Sequence, residues 1–337
     1  MACEAPSAPP LVAVVTPTKN RLRLLGETLD SVGAQSFTAW EHIVVDDGSD
    51  DGTAEMVAAR AAEDPRVRYL VRDKGLPGAN ACRNLGLCKS RAQFILFLDS
   101  DDVLDSGCLE ERVRILRRND DLDFVTFQAG IFVRVPGDMG RVMDTEMLGD
   151  DLTRFLYFEA PWQTSAPIWR KDSLLRLGGF DESLASWQDI ELHVRAIAAG
   201  LRYVRFPQID HHIRWQFEEA KISVEQRRSP HHLKGAIDIV EILERHVRTG
   251  PGMNWVRQRA LCSLYFFVAE RWIEIGRLAE AQRAWATICR RRLGSRLLHV
   301  SGAILLAAMA MGLPIRRVVG KWKGWVRLRT QMEILKL

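Results

Sequence analysis

Between Leu11 and Phe127 the chain alternates short apolar runs with stretches of helical spacing, and that alternation narrows the fold more than any other feature. The runs are Leu11–Val15, His42–Val45, Val67–Val71, Phe94–Leu98 and Phe124–Phe127. Each is too short for a helix and rich in β-branched or aromatic residues, so each reads as a buried strand. Between them, Arg21–Gln35 has Leu22, Leu25, Leu29 and Val32 on one helical face. Thr53–Ala62, Gly78–Ser90 and Leu109–Arg118 also read as helices. Strand and helix in strict alternation predict an α/β domain with a mostly parallel sheet covered by helices. In such sheets ligands sit beyond the carboxyl ends of the strands.

Polar clusters gather where the strands are predicted to stop. The first strand runs into TPTKNR (16–21), the second into DDGSDDGT (46–53), the fourth into LDSDD (98–102), and the helix after the third opens with GANACRN (78–84). Singly, Asp-Gly and Ser-Asp pairs are turns and caps. Jointly they would meet on one edge of one sheet. Three acids directly after an apolar strand suit a hard divalent cation, Mg²⁺ or Mn²⁺, which takes oxygen ligands and shares coordination with substrate phosphates. Asp99 and Asp101 would point the same way if the chain is extended there. One carboxylate could then hold the metal while another receives a ribose hydroxyl.

In order and spacing, VVTPTKNR, VVDDGSDDGT, GANACRNLGL, FLDSDD, LGGFDESL and WQDIELHVRAI resemble the family 2 inverting glycosyltransferases of the GT-A fold, over residues 11–225. The resemblance implies a nucleotide-sugar donor, UDP-linked in the usual case, a divalent metal and transfer with inversion at the anomeric carbon. By position it places Thr16, Asp47 and Arg83 at the nucleotide, with Asp99 and Asp101 on the nucleotide-sugar. Asp101 or Asp102 becomes the direct metal ligand. Asp189, in Trp187-Gln188-Asp189-Ile190-Glu191, becomes the catalytic base, although Gln stands where the family usually has Glu. Asp50 and Asp51 are left as caps, and Glu191 is the second choice of base. A third metal ligand would be His211 or His212, but the spacing in Asp210-His211-His212-Ile213-Arg214 departs from the family pattern. A sugar-phosphate nucleotidyltransferase would want glycines after the first strand, and TPTKNR has none. A non-catalytic nucleotide-sugar-binding module would have no use for a base.

Composition sorts the rest of the chain. Residues 1–220 hold 25 Lys and Arg against 35 Asp and Glu, whereas residues 221–337 hold 22 against 8. The acidic part suits a cation and the basic part a polyanionic surface. The six cysteines form no CxxC pair, as expected of scattered free thiols. The expected organisation is a disordered leader (1–10), a GT-A domain (11–225) and a basic helical region (226–337). Within the GT-A domain, 11–130 would bind the nucleotide-sugar and 131–225 would form the acceptor side. Phe155, Tyr157, Phe158, Trp162, Trp187 and Trp215 are possible sugar-stacking residues, with a core role the plainer reading. Leu297–Ile315 is 19 residues without a charge, flanked by arginines and lysines. That is marginal for a span of ~20 residues. It suits a helix lying in an anionic membrane surface, with a buried helix as the alternative. Together these features predict a cytoplasmic enzyme, peripheral at the inner face of the membrane, that adds one sugar per encounter to a glycan or lipid-linked acceptor and binds no nucleic acid.

Overall fold

The computed structural model describes residues 9–143, 150–215 and 230–334. The chain divides into two compact units. The first comprises Met1–Met147, Trp162–Ser183 and Leu201–Phe217; the second comprises Leu148–Pro161, Leu184–Gly200 and Glu218–Leu337.

The first unit is built on a mixed sheet. Strands β1 (Val12–Thr18), β2 (Trp40–Asp46), β3 (Val67–Val71) and β4 (Phe94–Phe97) are parallel, in the order β3-β2-β1-β4. Helices α1 (Leu22–Gly33), α2 (Thr53–Glu63) and α3 (Ala79–Lys89) connect them. β1, β2 and β4 are buried along their whole length, as unbroken apolar runs must be when helices cover both faces. α3 lies directly on β1. A Cβ added at Gly86 would fall 2.3 Å from a methyl of Val15, so only glycine permits that approach. The sheet then changes character. After β5 (Val103–Leu104), α4 (Cys108–Arg118), β6 (Phe124–Phe132) and β7 (Arg141–Val142), the strand β8 (Pro167–Arg170) inserts antiparallel between β4 and β6. β9 (Tyr203–Arg214) runs parallel to β6 with a bulge at Phe127–Gln128 and carries β5 on its far side. The core lies under β1, β4 and β6, where Val14, Trp40, Phe94, Leu96, Leu109, Val113 and Val125 meet. Sequence spacing did not reveal β8, β9 or α6 (Lys171–Leu177).

The second unit is helical: α5 (Asp151–Leu156), α7 (Gln188–Ala198), α8 (Pro230–Thr249), α9 (Trp255–Glu274), α10 (Leu278–Arg290), α11 (Arg296–Ala310) and α12 (Arg316–Ile334). α9 is its centre, packing on α5, α8, α10, α11 and α12. α7 packs on α5 and α8.

Candidate functional site

The parallel register lines up the strand ends. Thr18 of β1 lies beside Asp46 of β2, and Val15 of β1 beside Phe97 of β4. The two loops leaving β1 and β2 are stitched together. The Asp50 N–H donates to Asn20 Oδ1 at 2.9 Å, and the Asn20 N–H donates to Ser49 Oγ at 2.9 Å. In DDGSDDGT each acid has its own task. Asp46 is buried; it accepts from the Ser49 N–H (2.9 Å) and hydroxyl (2.7 Å) and from the Tyr69 hydroxyl (2.7 Å). Asp51 accepts from Thr53 at the start of α2 and from the Leu22 N–H at the start of α1, and the Thr53 bond foremost holds its carboxyl below the usual range. Asp50 is exposed. Asp47 turns inward. Arg72 donates to one of its oxygens and the Gly78 N–H to the other at 3.0 Å. Gly78 adopts φ +126°, which favours glycine at the entrance of α3.

At the end of β1 the Thr16 side chain is fully buried, and its hydroxyl is 2.9 Å from His42 Nε2. Burial drops the His42 pKa to about 3, so the imidazole is neutral. The Thr16 hydroxyl therefore serves the sheet interior. Thr18 is different, because its buried hydroxyl has no hydrogen-bond partner among the described residues. Arg83 on α3 is only 4% exposed. One guanidinium nitrogen donates to Asp99 Oδ1 at 2.7 Å and the group lies over the Phe180 ring, while Nε and Nη1 have no partner among the described residues. Phe180 is fixed in turn, since Asn84 accepts from its N–H (2.8 Å) and donates to its carbonyl (2.9 Å).

The segment after β4 is not extended. The Asp102 N–H bonds back to the Asp99 carbonyl at 3.1 Å and closes a turn, so the two-residue alternation assumed for Asp99 and Asp101 does not apply. Asp102 is buried inside that turn. It accepts from the Ser165 hydroxyl (2.9 Å) and the Arg214 N–H (3.2 Å). Burial, with the charges of Asp101 and Asp99, pushes its carboxyl well above the usual range. Asp101 is raised too, by burial first and then by Asp99. Two neighbouring acids destabilised as anions suit a divalent cation, which would relieve them both. Mg²⁺ and Mn²⁺ sites often use one or two carboxylates and take the remaining oxygens from substrate phosphates and water, and Asp99 and Asp101 fit that pattern. Among the described residues no group of three or more His, Cys, Asp or Glu side chains is arranged to hold a metal. One ring nitrogen of each of His211 and His212 is bonded, and the other, His211 Nε2 and His212 Nδ1, is buried without a hydrogen-bond partner among the described residues. His211 Nδ1 meets Asp210 (3.0 Å) and Arg112 (3.1 Å), and His212 Nε2 meets Asp105 (3.0 Å).

Several supports escaped sequence reading. Arg112, fully buried on α4, holds Asp210 through two 2.7 Å bonds and the Ser165 carbonyl at 3.2 Å, so it braces β9 and the segment behind the Asp99–Asp102 turn. A signal was present, since Arg112 falls on the same face as Leu109, Val113 and Leu116. Arg72, Ser165 and Thr18 carried none.

Asp189 belongs to the second unit. It lies in the first turn of α7, half-buried, and its carboxylate accepts from the Ile190 N–H at 2.9 Å. The preceding Trp187 has φ +56°, an uncommon and strained conformation for a non-glycine residue. Trp187 packs edge-on against Phe158 at 4.4 Å, with Phe267 completing the aromatic group. Of the other stacking candidates, Phe155, Tyr157 and Trp162 are buried and Trp215 is exposed. Glu191 is buried and fully engaged, with Arg195 at 2.8 and 2.9 Å and His246 at 2.9 Å.

Residues 13–163 match the family model for glycosyl transferase family 2. The likeness to that family is carried by this stretch, a little under half of the chain. The matched stretch contains Asp47, Arg83, Asp99, Asp101 and Asp102; Asp189, His211 and His212 lie beyond it. This chain is 38% identical over 100 residues to a GalNAc(5)-diNAcBac-PP-undecaprenol beta-1,3-glucosyltransferase of Campylobacter jejuni. That match covers 30% of this chain and 32% of the relative, so the chain spans about a third of that protein. Among solved structures, Staphylococcus aureus TarS 1–349 in complex with UDP-GlcNAc superposes with a TM-score of 0.60 at 15% identity, over 91% of this chain and 93% of that one. The mannosyltransferase PcManGT of Pyrobaculum calidifontis, in complex with GDP-Man and Mn²⁺, gives 0.54 at 20% identity over 95% and 86%. At these identities the likeness establishes the shared fold, GT-A.

Proposed function

We propose that the chain transfers a sugar, with inversion, from a nucleotide-sugar, in the first instance a UDP-sugar, to a hydroxyl of a glycan or lipid-linked acceptor in cell-surface polysaccharide synthesis at a membrane surface. The observation that carries this reading is Arg83. A buried guanidinium with two unpartnered nitrogens, Nε and Nη1, held against Asp99 at a strand end, suits a phosphate oxyanion. Asp47, fixed by Arg72 and Gly78, keeps lone pairs free to accept from a nucleobase N–H. The Thr18 hydroxyl and the backbone at the end of β1 flank it. Asp99 and Asp101 would hold Mn²⁺ or Mg²⁺, which neutralises charge on the departing diphosphate. Asp101 is the better ligand, because it is half-buried whereas Asp102 is only 2% exposed and closed inside the turn. We assign Asp189 as general base. Its carboxylate takes the proton of the acceptor hydroxyl while that oxygen bonds to the anomeric carbon, and the diphosphate leaves with the electron pair of the broken bond. The C. jejuni relative's undecaprenyl-linked acceptor and the UDP-GlcNAc and GDP-Man in the two structures support a nucleotide-sugar donor and a lipid-linked acceptor here.

The test is incubation of the full chain with Mn²⁺ and separate UDP-, GDP- and dTDP-sugars, following slow donor hydrolysis. Release of one nucleotide, abolished by Asp101→Asn, supports the reading and names the donor. Asp189→Asn keeps the shape and removes basicity. It should leave donor binding intact and lower transfer by ~10²–10⁴-fold. No release from any donor, or an Asp189→Asn variant as active as the parent, would overturn it.

A further inference from the structure

From Ala281 to Met332 the chain has eleven Lys and Arg and no Asp or Glu. In the middle of that stretch lies α11. Its inner face is fixed. Gly302 sits against Trp285 so closely that a Cβ would fall 2.2 Å from the ring, Trp322 Nε1 donates to Ser301 Oγ at 2.9 Å, and Leu298, Leu305 and Leu306 are buried. Its outer face repeats at helical spacing and is apolar throughout. Leu297 is 64% exposed, Val300 58% and Ile304 62%, and beyond the helix Met311 is 70% and Leu313 50% exposed. Ala303, Ala307 and Ala310 fill the positions between, and also line an apolar groove of about 270 Å³ floored by Trp285 and Leu306.

Such a stripe is neither a buried core helix nor a span. Fifteen residues at ~1.5 Å each reach about 22 Å, short of a ~30 Å hydrocarbon core. No helix among the described residues is long and apolar enough to cross a membrane. Its ends decide the occupant. Arg290, Arg292 and Arg296 are exposed before it, and Arg316, Arg317 and Lys321 after it. An apolar band closed at both ends by cations matches the layering of an anionic leaflet, acyl chains inside a rim of phosphates. Nucleic acid would have no use for the band.

We propose that the outer face of α11, with its arginine and lysine flanks, docks the chain in-plane on an anionic lipid surface. This deepens the membrane-surface part of the proposed function and does not depend on the transfer chemistry. The experiment is flotation of the full chain with vesicles of phosphatidylcholine alone or mixed with phosphatidylglycerol, beside donor hydrolysis by the same proteins. The parent should float with the anionic vesicles at low salt. Val300→Asp/Ile304→Asp should lower partition by on the order of 10²-fold, from two apolar side chains no longer buried. Arg316→Gln/Arg317→Gln/Lys321→Gln should lower it by on the order of 10²-fold, at about five-fold for each of the three cations near the surface. Both variants should hydrolyse donor as the parent does. As a check without a folding risk, brominated phosphatidylglycerol should quench tryptophan fluorescence of the parent, and less so in Trp325→Phe, because Trp325 is partly exposed on α12 one turn beyond Lys321. A parent that does not float, an aspartate variant that floats equally, or a parent dimer that this variant splits without any vesicle binding would each overturn the docking while leaving the donor chemistry standing.

Discussion

Arg83 has one anionic partner, Asp99, and two nitrogens, Nε and Nη1, with none among the described residues, so it is only partly satisfied until an anion arrives. Bonds from a buried guanidinium to a phosphate are worth about 1.5–3 kcal/mol each. Arg83→Gln should therefore weaken UDP binding by ~10–100-fold in calorimetry, and Arg83→Lys, which keeps the charge and loses the fork, by less. Unchanged affinity in both would move the diphosphate elsewhere. The two aspartates beyond Asp99 should separate. Asp101→Asn should remove the Mn²⁺ dependence of UDP binding with little effect on melting. Asp102→Ala strips acceptors from Ser165 and Arg214 and should destabilise the fold by ~2–4 kcal/mol, seen as a lower urea midpoint. The reverse pattern would exchange their roles. At this scale the sequence was most informative where a charged residue follows an apolar strand, as with Asp47 and Asp99. It could not name a distant partner: the place of Arg112 on an apolar helix face was visible, but its bond to Asp210, 98 residues away, was not.

At the scale of elements, α7 is tethered by Glu191. Burial alone would raise that carboxyl, but bonds from His246 and Arg195 win and hold it below 4.5. A depressed acid contributes stability above its unfolded pKa and loses it as pH falls through the folded value. The tether should accordingly be intact at neutral pH and fail progressively as pH falls below the usual carboxylate range. Glu191→Gln should cost about 2–4 kcal/mol at pH 7 and flatten this acid limb of the stability profile, measured by urea melts across pH. A variant with the parent's stability and lowered turnover would instead return Glu191 to the chemistry. β1, β2 and β4 were legible because buried parallel strands carry apolar runs, and β3, a half-exposed edge strand, because VRYLV is short and mostly apolar. β9 was not, because YVRFPQIDHHIR mixes proline, charge and a bulged register, and its place is set by β6 alongside it. α6 is seven residues long, too short for a period to declare itself.

For the whole molecule, the division into units does not follow the chain. The segments 148–161 and 184–200 belong with the C-terminal helices. Tyr157 bonds the Val326 carbonyl at 3.4 Å, Arg257 pairs with Asp150 at 3.3 Å, and His246 with Glu191. A chain stopped near residue 225 would bare the inner faces of α5 and α7. It should be insoluble or lack a cooperative melt, although it retains every residue proposed to bind donor. A well-folded product of that length would show the helical region to be an independent appendage.

The Glu191–His246 tether also has a meaning in time. The two residues are 55 positions apart, so when α7 leaves the ribosome its anchor has yet to be made. At ~5–20 residues per second the wait is on the order of several seconds. During it the nascent polypeptide can assemble β1 to β4, all upstream, while the helix carrying Asp189 still lacks its partner. The carboxylate proposed to activate the acceptor is thus among the last parts to be fixed in place.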